Sequence, residues 1–143
     1  VFTNHKGDNA CPIKQMAFYN SIITGHNSDE IYGYPSSDES IANNYAFYNC
    51  LLNTREIKDK PNVLNNVWET SKSEVRQAGN FINFDYKSLI YDFRLTAESP
   101  ARFIADPAVT KQYYPNDRHG TPRLKDNLSD AGCYQYIELP QAE

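Results

Sequence analysis

The sequence predicts an all-α fold: a small, disulfide-tied helical bundle with a long loop before its closing helix. Three observations point there. Apolar residues recur at three- and four-residue intervals across residues 41–52 and 64–82, as on one face of a 3.6-residue helix. Capping residues precede these runs. Residues 98–127 instead hold four prolines and little sustained period, the mark of a long loop.

A length of 143 residues suits one domain. We divide it into an N-terminal extension, residues 1–40, and a bundle, residues 41–143. Pro12 suits the first turn of a short helix, with Ile13, Met16, Ala17 and Ile23 as its apolar side and Gly25 as its end. The loop "HNSDEIYGYPSSDE" follows. Ser36 and Glu39 have the spacing of a capping box for the first bundle helix. In that helix Ile41, Tyr45, Tyr48 and Leu52 step by four, three and four, Phe47 and Leu51 widen the stripe, and Cys50 falls on the other side. Pro61 breaks the chain. A helix then carries Leu64, Val67, Trp68, Val75, Ala78 and Ile82, and Asp85 caps another, with Leu89, Ile90 and Phe93 buried. Short connections make the helices antiparallel. The excursion from Ala97 has room for one helical turn, and Ser129 caps a short closing helix through Cys133. No internal repeat is evident.

Composition narrows the function classes. Hydrophobic residues at 40% and charged residues at 22% are globular values, with a mean hydropathy of −0.69. A net charge of −4 with no basic cluster argues against nucleic-acid binding. No apolar run reaches the ~18–20 residues of a membrane span, so no membrane insertion is expected. A chain starting at Val1 fits an exported protein whose signal peptide has been removed.

Catalysis finds little support. A thiol nucleophile needs a histidine partner and a stabilised thiolate. Cys11 and the three histidines His5, His26 and His119 lie in polar loop sequence without a motif. Cys and His spacings do not match zinc sites, and there is no glycine-rich phosphate loop. The carboxylate pairs Asp29/Glu30, Asp38/Glu39 and Asp126/Asp130 suit helix starts and loops. We therefore expect no enzyme activity and no cofactor or metal.

The loop reads better as a binding surface. Tyr113, Tyr114, Arg118, His119 and Arg123 are residue types that interface hot spots favour. Tyr32 and Tyr34 in the earlier loop are further rigid contact candidates. Three cysteines, Cys11, Cys50 and Cys133, allow three pairings that spacing cannot rank. A Cys50 to Cys133 bridge would close a loop of more than eighty residues and tether a marginal closing helix. A plain buried thiol at Cys50 stays open as the alternative.

Three segments, "NYAFYNCL", "RQAGNFINF" and "AGCYQYIEL", together resemble the immunity proteins that bacteria pair with type VI secretion amidase effectors, the Tai group and its fourth family in particular. The matching residues are Tyr45, Ala46, Cys50 and Leu51, then Ala78, Phe81, Ile82 and Phe84, then Cys133, Ile137 and Leu139. The resemblance spans roughly residues 43–139. It implies a helical bundle, a Cys50–Cys133 disulfide, a homodimer and a periplasmic location. It also implies a function: binding and inhibiting a peptidoglycan amidase effector by inserting a loop into its cleft. By position that loop is residues 110–123, with Tyr113, Tyr114, Asn116, Asp117, Arg118, His119 and Arg123 as partner-binding residues. The alternative is a helical accessory subunit of a larger complex, similar to the oxygen-evolving PsbQ type, read on Trp68, Arg76 and the "YDFR" run.

Overall fold

The computed structural model describes residues 1–69 and 77–139. It corrects the predicted fold class: the architecture is a parallel β-solenoid, not a helical bundle. A hairpin of β1 (His5–Lys6) and β2 (Asn9–Ala10) leads into three coils, each a strand, a corner and a second strand. The first coil holds β3 (Ile13–Tyr19) and β4 (Ile22–Ile23), the second β5 (Asn43–Tyr48) and β6 (Leu51–Leu52), the third β7 (Val63–Leu64) and β8 (Val67–Trp68). Then come a single turn α1 (Gln77–Asn80), the antiparallel hairpin β9 (Phe81–Asp85) and β10 (Ile90–Leu95), and α2 (Pro107–Tyr113).

Strands of successive coils stack in two parallel sheets, β3-β5-β7 and β4-β6-β8. Registers pair Tyr19 with Tyr48 and Tyr48 with Leu64 in one sheet, and Ile22 with Leu51 and Leu51 with Val67 in the other. Each corner turns on an asparagine in the left-handed region: Asn20 at φ 49°, Asn49 at 56° and Asn65 at 57°. Asparagine tolerates that conformation better than most side chains. The repeat is thus "YNSII", "YNCLL" and "LNNVW".

This corner explains why the pattern resembles a helix. Strand side chains alternate in and out, but the corner residue shifts the phase by one. Phe47, Cys50 and Leu52 all belong to the inner core, and the step from Phe47 to Cys50 is three residues. Tyr48 to Leu51 is also three. The four-three-four spacing of Ile41, Tyr45, Tyr48 and Leu52 therefore runs over two strands and a turn. Tyr and Phe are strand formers by propensity, which agrees with the outcome.

Two cores result. Inside the coils Phe47, Cys50, Leu52 and Val63 are buried, with Phe18, Ile23, Tyr45 and Trp68 packed on them. Phe18 and Phe47 stack with centroids 5.3 Å apart and planes 6° apart. On the outer face of the second sheet Leu51, with Ile22 and Val67, packs under Phe81, Leu95, Ala101 and Ala131 of the C-terminal part. That part also straps the corners: the Asn49 side chain donates to the Ile104 carbonyl, and Asn20 holds the backbone of Asp106.

The other predicted elements are corrected likewise. Ile13–Tyr19 and Ile22–Ile23 are strands, and so are Val67–Trp68; Val75 and Arg76 lie outside the described residues. Ser36 accepts from the Asp38 amide in a bend, so no capping box forms. Asp85 does capture two free amides, those of Lys87 and Ser88, but in the β9–β10 turn. These bonds, with the Ser88 hydroxyl, hold its carboxyl below the ordinary value. Where one helical turn is expected after Ala97, the seven-residue α2 forms, capped by Asp106, whose carboxylate accepts from Ala108 and Val109. Residues 129–139 form no closing helix; Ser129 is buried and bonds the Thr110 hydroxyl.

The disulfide is also corrected. All three cysteines are free thiols. Cys50 sits inside the solenoid, fully buried, with its sulfur against the carbonyls of Tyr48 and Phe18. Cys133 is exposed, beside Gly132 in the C-terminal part.

Candidate functional site

The first coil has one edge paired and one edge bare. Ser21 and Ile23 turn their carbonyls to the second coil, accepting from Leu51 at 2.9 Å and Asn53 at 2.8 Å. In a parallel ladder the residue between them faces the opposite way. Ile22 therefore aims its amide and carbonyl at the open side, where no strand is paired among the described residues.

That edge floors a groove of about 780 Å³. The floor runs from Tyr19 to Thr24. One wall is aromatic, Phe81, Phe84 and Phe93 from the β9–β10 hairpin; the other is Tyr114, Asn116, Asp117 and Arg118 from the loop after α2. Gly132 closes the corner. Its amide donates to the Asn20 carbonyl at 2.8 Å, its φ is 93°, and a Cβ there would stand 2.7 Å from Ile22 Cδ1. Only glycine meets both demands.

Of the seven residues expected to bind a partner, Tyr114, Asn116, Asp117, Arg118 and Arg123 line this groove. Tyr113 is exposed but outside the lining. His119 packs at a tilt on Tyr134, centroids 4.6 Å apart and planes at 48°, and is not among the groove's lining residues. Asp117 is the organiser of its loop: its carboxylate accepts from the amides of His119 (2.8 Å), Thr121 (2.9 Å) and Gln135 (3.0 Å). Burial alone would raise that carboxyl, but these amides and the nearby His119 outweigh it and hold it below the ordinary value. Arg123 is buried; it donates to the carbonyls of Gly132 and Asp130 and anchors the wall from behind. Burial lowers its affinity for its proton.

The inner side of the same edge is open too. A cup of about 170 Å³ is lined by Met16, Phe18, Ile23 and Ile31, with Phe2 and Tyr32 at its rim. Phe2 lies parallel to Gly33, its amide donating to Tyr32 and its carbonyl accepting from Tyr34, each at 2.9 Å.

Sequence reasoning missed the floor and the aromatic wall. The signal for the floor is the repeat of a large residue, Asn, any residue and two apolar residues at 19–23, 48–52 and 64–68. For catalysis, no histidine hydrogen-bonds a thiol among the described residues, where each packs on a different tyrosine: Tyr34, Tyr86 or Tyr134. No cluster of three or more His, Cys, Asp or Glu is placed to hold a metal ion among the described residues, and no helix there is long and apolar enough to cross a membrane. No family model, curated protein or solved structure matches the chain.

Proposed function

We propose that the chain is a protein-interaction module that takes an extended polypeptide onto the bare edge of its first coil. One observation carries this reading: the unpaired amide and carbonyl of Ile22 lie at the floor of an aromatic-walled groove. Strand addition uses such an edge, with main-chain bonds giving affinity and side-chain pockets giving specificity. The loop walls, Tyr114 to Arg118, then act as contact residues.

Inhibition of a periplasmic peptidoglycan amidase, with homodimerisation, is the narrower form of this proposal. The described residues of its three motifs lie on strands, the single helical turn α1, corners and irregular chain, not on bundle helices, so they give no reason to prefer it over other polypeptide partners.

The test is selection from a displayed library of random dodecapeptides, followed by hydrogen exchange on the complex. Selected peptides should slow exchange of the Ile22 amide, and a central proline should abolish binding. Protection elsewhere with Ile22 unprotected, or binding of oligosaccharides but no peptides, overturns it.

A further inference from the structure

We infer that the occupant of this edge is another solenoid coil of the chain's own strand–Asn–strand chemistry, stacked in parallel on the first. The inference rests on reading the groove as a strand-addition site.

Two openings on opposite faces of one edge carry it. A strand laid beside β4 points alternate side chains to opposite sides. One set enters the groove beneath Phe81, Phe84 and Phe93; the other enters the cup beside Phe18 and Ile23. Each space has an apolar wall where the strand would lie, Phe81, Phe84 and Phe93 in the groove and Met16, Phe18, Ile23 and Ile31 in the cup, so the incoming strand presents apolar side chains to both. An ordinary edge strand alternates apolar and polar, and an oligosaccharide has no two-faced apolar pattern. The chain already makes such strands three times, as Ile22–Ile23, Leu51–Leu52 and Val67–Trp68.

Row continuity gives the register. Ile22, Leu51 and Val67 form the outer row under the C-terminal part. The next member of that row falls ~4.8 Å beyond Ile22, within the groove. The inner row of Ile23, Leu52 and Trp68 extends the same way into the cup. Leu51 and Leu52, which have a coil on either side, are fully buried, whereas Ile22 and Ile23 are only half-buried. The direction is parallel, because Phe2 already pairs in parallel with Gly33 at this end. A solenoid end with its apolar rows unsealed needs a stacked neighbour or a cap.

The experiment uses a synthetic peptide copying residues 43–54 with Cys50→Ser, titrated into the 143-residue chain while exchange of the Ile22 amide is followed. The expected result is at least tenfold slower exchange at Ile22, and at least tenfold weaker binding of the same peptide carrying Leu51→Asp. A Phe93→Ala chain should bind the peptide more weakly, with its Leu51 amide exchange unchanged as proof of folding. If unrelated alternating peptides protect Ile22 and the coil copy does not, the inference falls and the strand-addition reading stands. If no peptide protects Ile22, both fall. If the chain alone forms a symmetric dimer that protects Ile22 in proportion to its concentration and the coil copy does not displace it, two first coils pair edge to edge in antiparallel and the inference is overturned.

Discussion

Asn20 clamps the backbone of Asp106 at two points: its Oδ1 accepts from the Asp106 amide at 2.8 Å and its Nδ2 donates to the Asp106 carbonyl at 3.1 Å. The same Nδ2 reaches Thr110 Oγ1 at 3.1 Å. One residue thus makes the first corner and fastens α2 against it, eighty-six positions along the chain. The corner and the clamp separate by substitution. Asn20→Gly keeps the left-handed backbone and loses the buried bonds, for which we expect a loss of about 2–3 kcal/mol. Asn20→Ala adds about 1 kcal/mol of backbone strain. At the exposed Asn65 corner, Asn65→Ala should cost only that strain and Asn65→Gly almost nothing. Urea unfolding of the four variants checks the scheme; equal costs at the two sites would refute it.

The two cores are distinguished by neighbours in sequence. Leu51 serves the outer core and Leu52 the inner one, and both are fully buried. Leu51→Ala and Leu52→Ala should each cost about 2.5–5 kcal/mol. Their readouts differ. Leu51→Ala loosens the hairpin and the groove wall, so hydrogen exchange should accelerate first in β9 and β10. Leu52→Ala opens the inner stack, so exchange should accelerate first at Phe47 and Val63. Identical exchange maps would mean a single core.

How much of this was legible depends on the residue. Asp85 is expected to cap a helix and instead takes two amides of a hairpin turn, because an Asx side chain bonds nearby N–H groups in helix starts and hairpin turns alike. Which of the two forms is decided by the strand pairing of Phe81–Asp85 with Ile90–Leu95, a non-local event. The coil repeat was present in the letters but not at a fixed period. Asn20, Asn49 and Asn65 are 29 and 16 residues apart, since the loops between coils differ in length. A periodicity search is blind to that. Residue type points to Tyr114, Arg118 and Arg123, and the resemblance adds Asn116 and Asp117 by position; all five line one groove. The groove's floor at Tyr19 to Thr24, its aromatic wall at Phe81, Phe84 and Phe93 and its loop wall at Tyr114 to Arg118 are three segments well separated in sequence, which local pattern cannot join.

The thiols give a direct chemical check. Cys50 is fully buried, and desolvation pushes its thiol up; Cys133 is exposed, though desolvation raises it as well. A raised thiol value lowers the thiolate fraction at neutral pH and slows alkylation. Two thiols, Cys11 and Cys133, should react with an alkylating reagent under native conditions, and the rate at Cys133 should rise as the pH is increased. Cys50 should react only on unfolding. Peptide mapping without reductant should find no Cys50–Cys133 linkage; finding one would overturn the solenoid interior described here.

Asp117 ties acid stability to the groove wall. Its carboxyl is held below the ordinary value in the folded chain, so folding is favoured by its ionised form. The sign follows: the contribution is complete above the unfolded value of about 3.9 and is lost as the pH falls through the lower, folded value. Asp117→Asn removes the charge and leaves one acceptor oxygen where two now serve Gln135, Thr121 and His119. The variant should therefore be less stable than the parent at pH 7, and the gap should close as both are taken toward pH 2. Peptide binding should weaken in parallel at neutral pH, since Asn116 and Arg118 flank the residue in the groove wall. Chemical denaturation at a series of pH values measures the first effect. A gap that stays constant with pH would show that the charge of Asp117 plays no part in holding the loop.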